Sequence, residues 1–332
     1  LVGRIADLSQ ALRGALAICE LTAAVVALGL RSAPVLMPLL LTSVLHAAAL
    51  APTTTLADAL ALGAAMRGHG RQGFEYGWVR GTGSAVFIVG TLVSGQVVAV
   101  WGLASIIISQ AVLLFAASGV ATLLPIAEQR DAASGTASSA RDGVVALLGM
   151  PMFRRIMLVS ALVLGSHAMH DTFAVIRWSA AGITPSVAST LWSLSVTAEV
   201  LVFFIGPRLL SEFGPARVVA LAAGAGVVRW IVMASSTSVI ALALVQPLHG
   251  LTFAALHLAC MRVISVIVPP HLAATAQAMY ALGAGATTAL LTLASGSLYG
   301  AVGAQGFWVM AVLCAAALPL ARGLRRAPVT RS

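Results

Sequence analysis

Apolar runs close to membrane-spanning length follow one another along almost the whole chain, and they constrain its fold more tightly than any motif. A helix needs roughly 20 predominantly apolar residues to cross a hydrocarbon core. On that basis ten segments emerge, at about 15–30, 35–63, 78–99, 102–124, 155–176, 186–206, 217–235, 239–261, 275–299 and 305–321. Strands with open edges cannot cross lipid, and the short connections suit antiparallel hairpins of helices. The fold class is therefore all-α integral membrane. Composition agrees: 60% of the 332 residues are hydrophobic and 9% are charged, against about 25% charged in a soluble domain.

The net charge of +9 comes entirely from arginine, because the chain has no lysine. No basic groove interleaved with aromatics accompanies it, so a nucleic-acid partner is not expected. The arginines instead sort by loop. Arg4, Arg13, Arg67, Arg71, Arg130, Arg141, Arg154, Arg155, Arg208, Arg217, Arg262 and the tail arginines fall on one side; the other side holds Arg31 and Arg177. The positive-inside rule makes the first side, and both ends of the chain, cytoplasmic. Cys19, Cys260 and Cys314 lie in apolar runs at scattered spacings, which gives neither a disulfide framework nor a zinc signature.

One connection differs from the others. Residues 125–154 are rich in small and charged residues, which suits a flexible cytoplasmic linker with one short surface helix. It divides the chain into a four-span part (1–124) and a six-span part (155–332). An internal repeat accounts for the inequality. The stretch from Gly3 to Arg13 enters a span, as does the stretch from Pro207 to Arg217 about 200 residues later, which itself follows two complete spans. Equivalent halves imply two helices before residue 1, roughly 50–60 residues at ordinary lengths. The expectation is an N-terminally truncated chain of a twelve-span protein.

This organisation resembles the major facilitator superfamily. The opening is similar to the family's loop G-x-x-x-D-(R)-x-G-x-R in Gly3, Asp7 and Arg13, with Leu8 and Gln10 departing from it; the second copy keeps Gly214 and Arg217. Phe74 to Ser84, Ala198-Glu199-Val200, Arg229-Trp230, Leu248 to Phe253 and His257 to Arg262 resemble the phenylpropionate-permease branch, which is related to oligosaccharide and nucleoside proton symporters. The resemblance implies a proton-coupled symporter of the bacterial inner membrane, acting as a monomer on a small-molecule substrate and protons, without a cofactor. It also implies that Glu199, Arg229 and His249 carry substrate and proton coupling, as the acid, arginine and histidine on these helices do in the related sugar symporters.

The ionisable residues point the same way on physical grounds. A charge at the centre of a bilayer costs at least a few kcal/mol, so it faces a cavity or a partner. Glu199, Arg229, His249 and His257 lie on three consecutive spans. Glu199 can load and release a proton, Arg229 stays charged and can bind an anion, and His249 titrates in the working range. The alternative is a fixed polar knot that locks the helices. His257 lies eight residues beyond His249, about 80° round the helix, and is the weaker candidate.

Three further groups stand out. Asp58 and Arg80 are eleven residues either side of His69, at similar depth on adjacent helices; they form either a gating ion pair or a structural bridge. His167, His170 and Asp171 share one helix, where the i, i+4 spacing lets His167 bond Asp171. They line a cavity or pack, and they lack the third ligand a catalytic zinc needs. Glu20 is a further acid within a span, its role left open. His46 on an apolar face reads as a hydrogen-bonded packing residue. Gly77/Gly81 and Gly296/Gly300 have small-xxx-small spacing and are expected at close helix crossings. The tryptophans are expected mostly as interfacial anchors, Trp192 and Trp230 lying deeper.

The reading that unites these features is secondary active transport by alternating access, of an aromatic carboxylate or, alternatively, a sugar or nucleoside. A membrane-embedded metal or haem enzyme would use the same histidines, but no HExxH, nucleophile elbow or phosphate loop supports it. An inactive truncated remnant is the third alternative.

Overall fold

A computed structural model describes residues 12–31, 35–54, 56, 57, 60, 76–124, 140–269 and 272–326. The described residues are helical, in two compact units, Leu1–Gly135 and Thr136–Ser332. The first unit contains α1 (Leu12–Arg31), α2 (Leu36–Leu50), α3 (Tyr76–Trp101) and α4 (Ala104–Leu123). The second contains α5 (Ala140–Gly149), α6 (Pro151–Gly165), α7 (Ala168–Ala180), α8 (Pro185–Ser235), α9 (Val239–Val245), α10 (Leu256–Ile267), α11 (Ala273–Val302) and α12 (Phe307–Arg322). Among the described residues, seven stretches are long and apolar enough to cross a membrane, and the last, Thr275–Arg322, runs through most of α11 and all of α12; Leu36–Leu50 and Ala85–Trp101 are shorter apolar helices.

In the first unit, α1 packs against α4 and α2, and α3 packs against α4. Apart from Leu16, the buried faces are built of small residues, Ala17, Ala23, Ala24 and Ala27 on α1 and Ser105, Ala111, Ser118 and Ala121 on α4. Small side chains let membrane helices approach until van der Waals contact and interhelical hydrogen bonds hold them. The Ser118 hydroxyl donates to the Ala17 carbonyl oxygen at 2.8 Å. His46 ties three helices together. Its Nδ1 is 3.0 Å from the Ala23 carbonyl, which can only accept, so Nδ1 carries the proton and Nε2 accepts from the Gln110 amide at 3.0 Å. His46 is thus the packing residue expected from its surroundings. Arg13 donates from Nη1 to the Leu124 carbonyl at 2.9 Å, tying the start of α1 to the end of α4.

In the second unit three helices are interrupted, each for a readable reason. α8 turns at Gly214, whose φ of 73° and ψ of 160° are open to glycine and which precedes Pro215. The turn separates an outbound limb, Pro185–Ile205, from a return limb, Glu212–Ser235. α6 and α7 are one membrane passage broken at Ser166–His167, where the Ser166 hydroxyl donates back to the Val163 carbonyl at 2.6 Å. Side-chain bonds of that kind bend helices. α9 and α10 are likewise one passage, Val239–Ile267, interrupted by a 3₁₀ turn at Gln246–Leu248 and a π turn at Leu251–Ala255. Pro247 lacks an N–H and its ring displaces the carbonyl four residues back, which forces the break.

Close helix approach occurs at other glycines than the spacing suggested. A Cβ on Gly296 or Gly300 would meet nothing within 4 Å, whereas one on Gly250 would lie 2.6 Å from the Ala198 carbonyl oxygen. Glycine spacing alone does not reveal which face of a helix is packed; Gly77 and Gly81 lie outside the residues whose side-chain surroundings are described. Trp178, expected as an anchor, is fully buried among core side chains, while Trp308 is half-exposed.

Candidate functional site

The interruptions of the two broken passages meet the return limb of α8, and the unit's polar side chains gather there. Arg229 on that limb is completely buried. Its Nη1 donates to His249 Nδ1 at 3.1 Å and its Nη2 to Gln246 Oε1 at 3.1 Å. Its guanidinium carbon lies 4.7 Å from the centroid of the Trp230 ring, a cation–π contact that is strongest when desolvated. His249 and Gln246 reach it because they are three residues apart on the broken passage, on one face.

From Arg229 the bonds run outward in two directions. His249 Nε2 lies 3.3 Å from Glu199 Oε2 on the outbound limb of α8. Because His249 Nδ1 accepts from a guanidinium that can only donate, the neutral ring carries its proton on Nε2 and donates to Glu199. In the other direction Gln246 Nε2 donates to His170 Nε2 at 3.5 Å, and His170 Nδ1 donates to Asp171 Oδ1 at 3.2 Å. Asp171 is therefore joined to His170. His167, which the spacing allowed to bond Asp171, instead places Nε2 3.0 Å from Thr252 Oγ1, although the backbone turn from His167 to Asp171 is closed.

Aromatic rings wall the cluster. His170 stacks on Trp192 with centroids 4.9 Å apart, and His249 on Phe253 at 5.5 Å. Trp230 donates from Nε1 to Ser166 Oγ at 2.8 Å, and Ser166 in turn touches Cys314 Sγ at 3.2 Å. Gly250 brings the broken passage against the backbone of Ala198, next to Glu199. His257 is placed differently, with its ring 5.7 Å from Tyr280 and 6.4 Å from Phe203. Among the described residues, no group of three or more His, Cys, Asp or Glu side chains could hold a metal ion.

The profile of the MFS_1 like family matches residues 1–310. The chain belongs to that family. It is 31% identical over 250 residues to the "Probable 3-phenylpropionic acid transporter" of Escherichia coli (strain K12), covering 74% of this chain and 64% of that protein. It is 23% identical over 299 residues to the "Uncharacterized transporter YwbF" of Bacillus subtilis (strain 168), covering 90% of this chain and 73% of that protein. The chain thus spans slightly less than two thirds of the first relative's length. Its fold superposes on the crystal structure of the nucleoside transporter NupG with a TM-score of 0.79 at 19% identity, over 100% of this chain and 86% of that one. The major facilitator fold and the phenylpropionate-permease-like branch are both supported by these matches.

In this member of the MFS_1 like family, the expected site residues fall into three groups. Glu199, Arg229, His249, His170 and Asp171 form one connected cluster, with His167 packed against it, its ring centroid 5.1 Å from that of His249. Of the loop motif, Gly214 makes the turn in α8, and the exposed Arg217 lines a groove of about 390 Å³ with Phe213, Leu221 and Arg322. Gly3, Asp7 and Asp58 lie outside the described residues, as does the side chain of Arg80. Gln246, Thr252, Ser166 and Trp230 were not singled out as site residues by charge. A glutamine beside a proline in the middle of an apolar span was the available signal for the first.

Proposed function

We propose that the protein is a secondary active transporter that carries a small aromatic carboxylate together with protons across the bacterial inner membrane by alternating access. The observation that supports this reading best is the buried Arg229 cluster, in which a permanent cation is held by neutral side chains and faces a carboxylate through one imidazole. Arg229 cannot release a proton at physiological pH, so it serves as the anion-binding group. A carboxylate substrate takes over the donors that now bond His249 and Gln246. The added negative charge is offset when Glu199 takes a proton, so anion and proton enter the cluster together and its charge is conserved. Trp192, Trp230 and Phe253 around the cluster suit an aromatic ring. The name of the Escherichia coli relative, a ring and a carboxyl group in one solute, is consistent with that choice.

The domain organisation belongs to the same proposal: a helix bundle at 1–124, a cytoplasmic linker at 125–154, a second bundle at 155–332, and cytoplasmic ends. The two bundles rock about the midplane, exposing the cluster to each side in turn. The test is uptake by the full-length protein in proteoliposomes, using labelled aromatic acids, sugars and nucleosides with and without an inwardly directed proton gradient. Accumulation of an aromatic acid that collapses with the gradient is the expected result. Uptake indifferent to the gradient, or confined to sugars or nucleosides, would overturn the coupling or the substrate class respectively.

A further inference from the structure

The hydrogen bonds around Arg229 have a definite polarity. The guanidinium only donates, so His249 and Gln246 accept from it and must themselves donate away from it. One arm ends at Glu199 through His249, the other at Asp171 through Gln246 and His170. Neither carboxylate touches Arg229, yet each is bonded to an imidazole that reaches it, directly for Glu199 and through Gln246 for Asp171. Gln246 is completely buried and spans the gap between the guanidinium and the His170 ring.

We propose that Arg229 is a counter-cation shared by two carboxylate–imidazole dyads, Glu199–His249 and Asp171–His170, with Gln246 the positioning residue that couples the second dyad to it, so that the cluster holds one exchangeable proton that either dyad can carry. This rests on reading the cluster as the coupling site. The titratable and charged groups around Arg229, among the described residues, are His167, His170 and Asp171 from the α6–α7 passage, Glu199 from the outbound limb of α8, His249 from the α9–α10 passage and Cys314 from α12. With neutral imidazoles and thiol, one guanidinium and two carboxylates sum to −1; one bound proton makes the cluster neutral, and a second leaves a buried cation without an anion. Leaving a buried charge uncompensated is strongly destabilising, so one proton binds readily and a second does not. That proton does not cross between the dyads, because a guanidinium that donates at both ends accepts from neither. Each dyad exchanges it through its own carboxylate, with the Asp171 side chain 51% exposed and that of Glu199 22% exposed.

The test is thermal unfolding of the full-length protein in lipid nanodiscs, from about pH 8 down to about pH 4, the range in which carboxylates become protonated. Stabilisation by an ionised carboxylate is present at neutral pH and lost on acidification. The wild type keeps one compensating anion until its second carboxylate is neutralised. Glu199→Gln and Asp171→Asn each start at the charge the wild type reaches after its first proton, so each loses the first, higher-pH step of the wild-type profile and keeps the last one. Gln246→Leu disconnects the Asp171 arm, so the midpoint of Asp171→Asn does not move further when Gln246→Leu is added. Glu199→Gln with Asp171→Asn leaves Arg229 bare at every pH; if that protein fails to fold, adding Arg229→Met restores it. The proposal is overturned if Asp171→Asn keeps the first step of the wild-type profile, if Gln246→Leu shifts the midpoint further in the Asp171→Asn background, or if the triple variant does not recover. No solute or gradient enters this measurement, so a failed uptake assay would refute transport without touching it.

Discussion

Replacing Gly250 by alanine tests whether the Glu199–His249 contact is set by helix packing. The added Cβ would lie 2.6 Å from the Ala198 carbonyl oxygen, 2.9 Å from its carbon and 2.9 Å from Val202 Cγ2. Two of those atoms are backbone, so the limb carrying Glu199 must retreat by roughly 0.5–1 Å to reach ordinary van der Waals separation. The His249–Glu199 distance is already 3.3 Å, and an increase of that size takes it beyond hydrogen-bond range. Overpacking of this kind costs about 1–3 kcal/mol, equivalent to a fall in Tm of about 2–12 °C for a unit of this size. Gly296→Ala is the matched control. Nothing lies within 4 Å of its Cβ, so helix propensity alone acts and stability is unchanged or rises by about 0.5–1 kcal/mol. The assay is thermal unfolding of both variants at neutral pH, with the pH profile of exchange as the second readout. Equal Tm values for Gly250→Ala and wild type would refute the packing argument, and so would an unaltered pH profile.

Further outcomes follow from other parts of the chain. His46→Leu removes bonds that join α2 to α1 and α4 and leaves the Gln110 amide and Ala23 carbonyl without their partner; a loss of about 1–3 kcal/mol is expected in denaturant or thermal unfolding. Cysteines introduced for Ala181 and for Glu212, both exposed, should be labelled by an impermeant reagent from opposite sides of the membrane; labelling from one side would defeat the assignment of loops by arginine content. Asp58→Asn should harm uptake more than Asp58→Asn combined with Arg80→Gln, and strict additivity would show that the two do not interact.

The helical class and part of the cluster were legible in the sequence because ionisable residues are rare inside apolar spans and conspicuous there. Glu199, Arg229 and His249 were visible on that ground alone. Gln246, Ser166 and Thr252 were not, since uncharged polar residues occur throughout membrane helices and only tertiary contact separates those that bridge from those that bond their own turn. The His167–Asp171 pairing failed for a related reason. The i, i+4 spacing shows which side chains can meet, not which do: the turn from His167 to Asp171 is intact, yet His167 bonds Thr252 and Asp171 bonds His170. His257, named as a weaker member of the pathway, packs against Tyr280 and Phe203. Arg177, placed with Arg31 on the arginine-poor side, donates from Nη2 to the Ala234 carbonyl at 3.3 Å. That bond puts Arg177 beside the C-terminal end of the return limb of α8, where a cation complements the helix dipole.

The proposal that Glu199 carries the coupled proton is tested most directly by comparing accumulation with exchange in one variant. Glu199→Gln keeps the size of the side chain and its ability to accept from His249, but removes the charge that a proton could neutralise. In vesicles made with the full-length protein, the variant should lose accumulation of a labelled aromatic acid driven by an imposed proton gradient. It should retain exchange of internal for external substrate, because Arg229 still binds the anion. Wild-type accumulation by Glu199→Gln would contradict the account and remove Glu199 from the coupling mechanism.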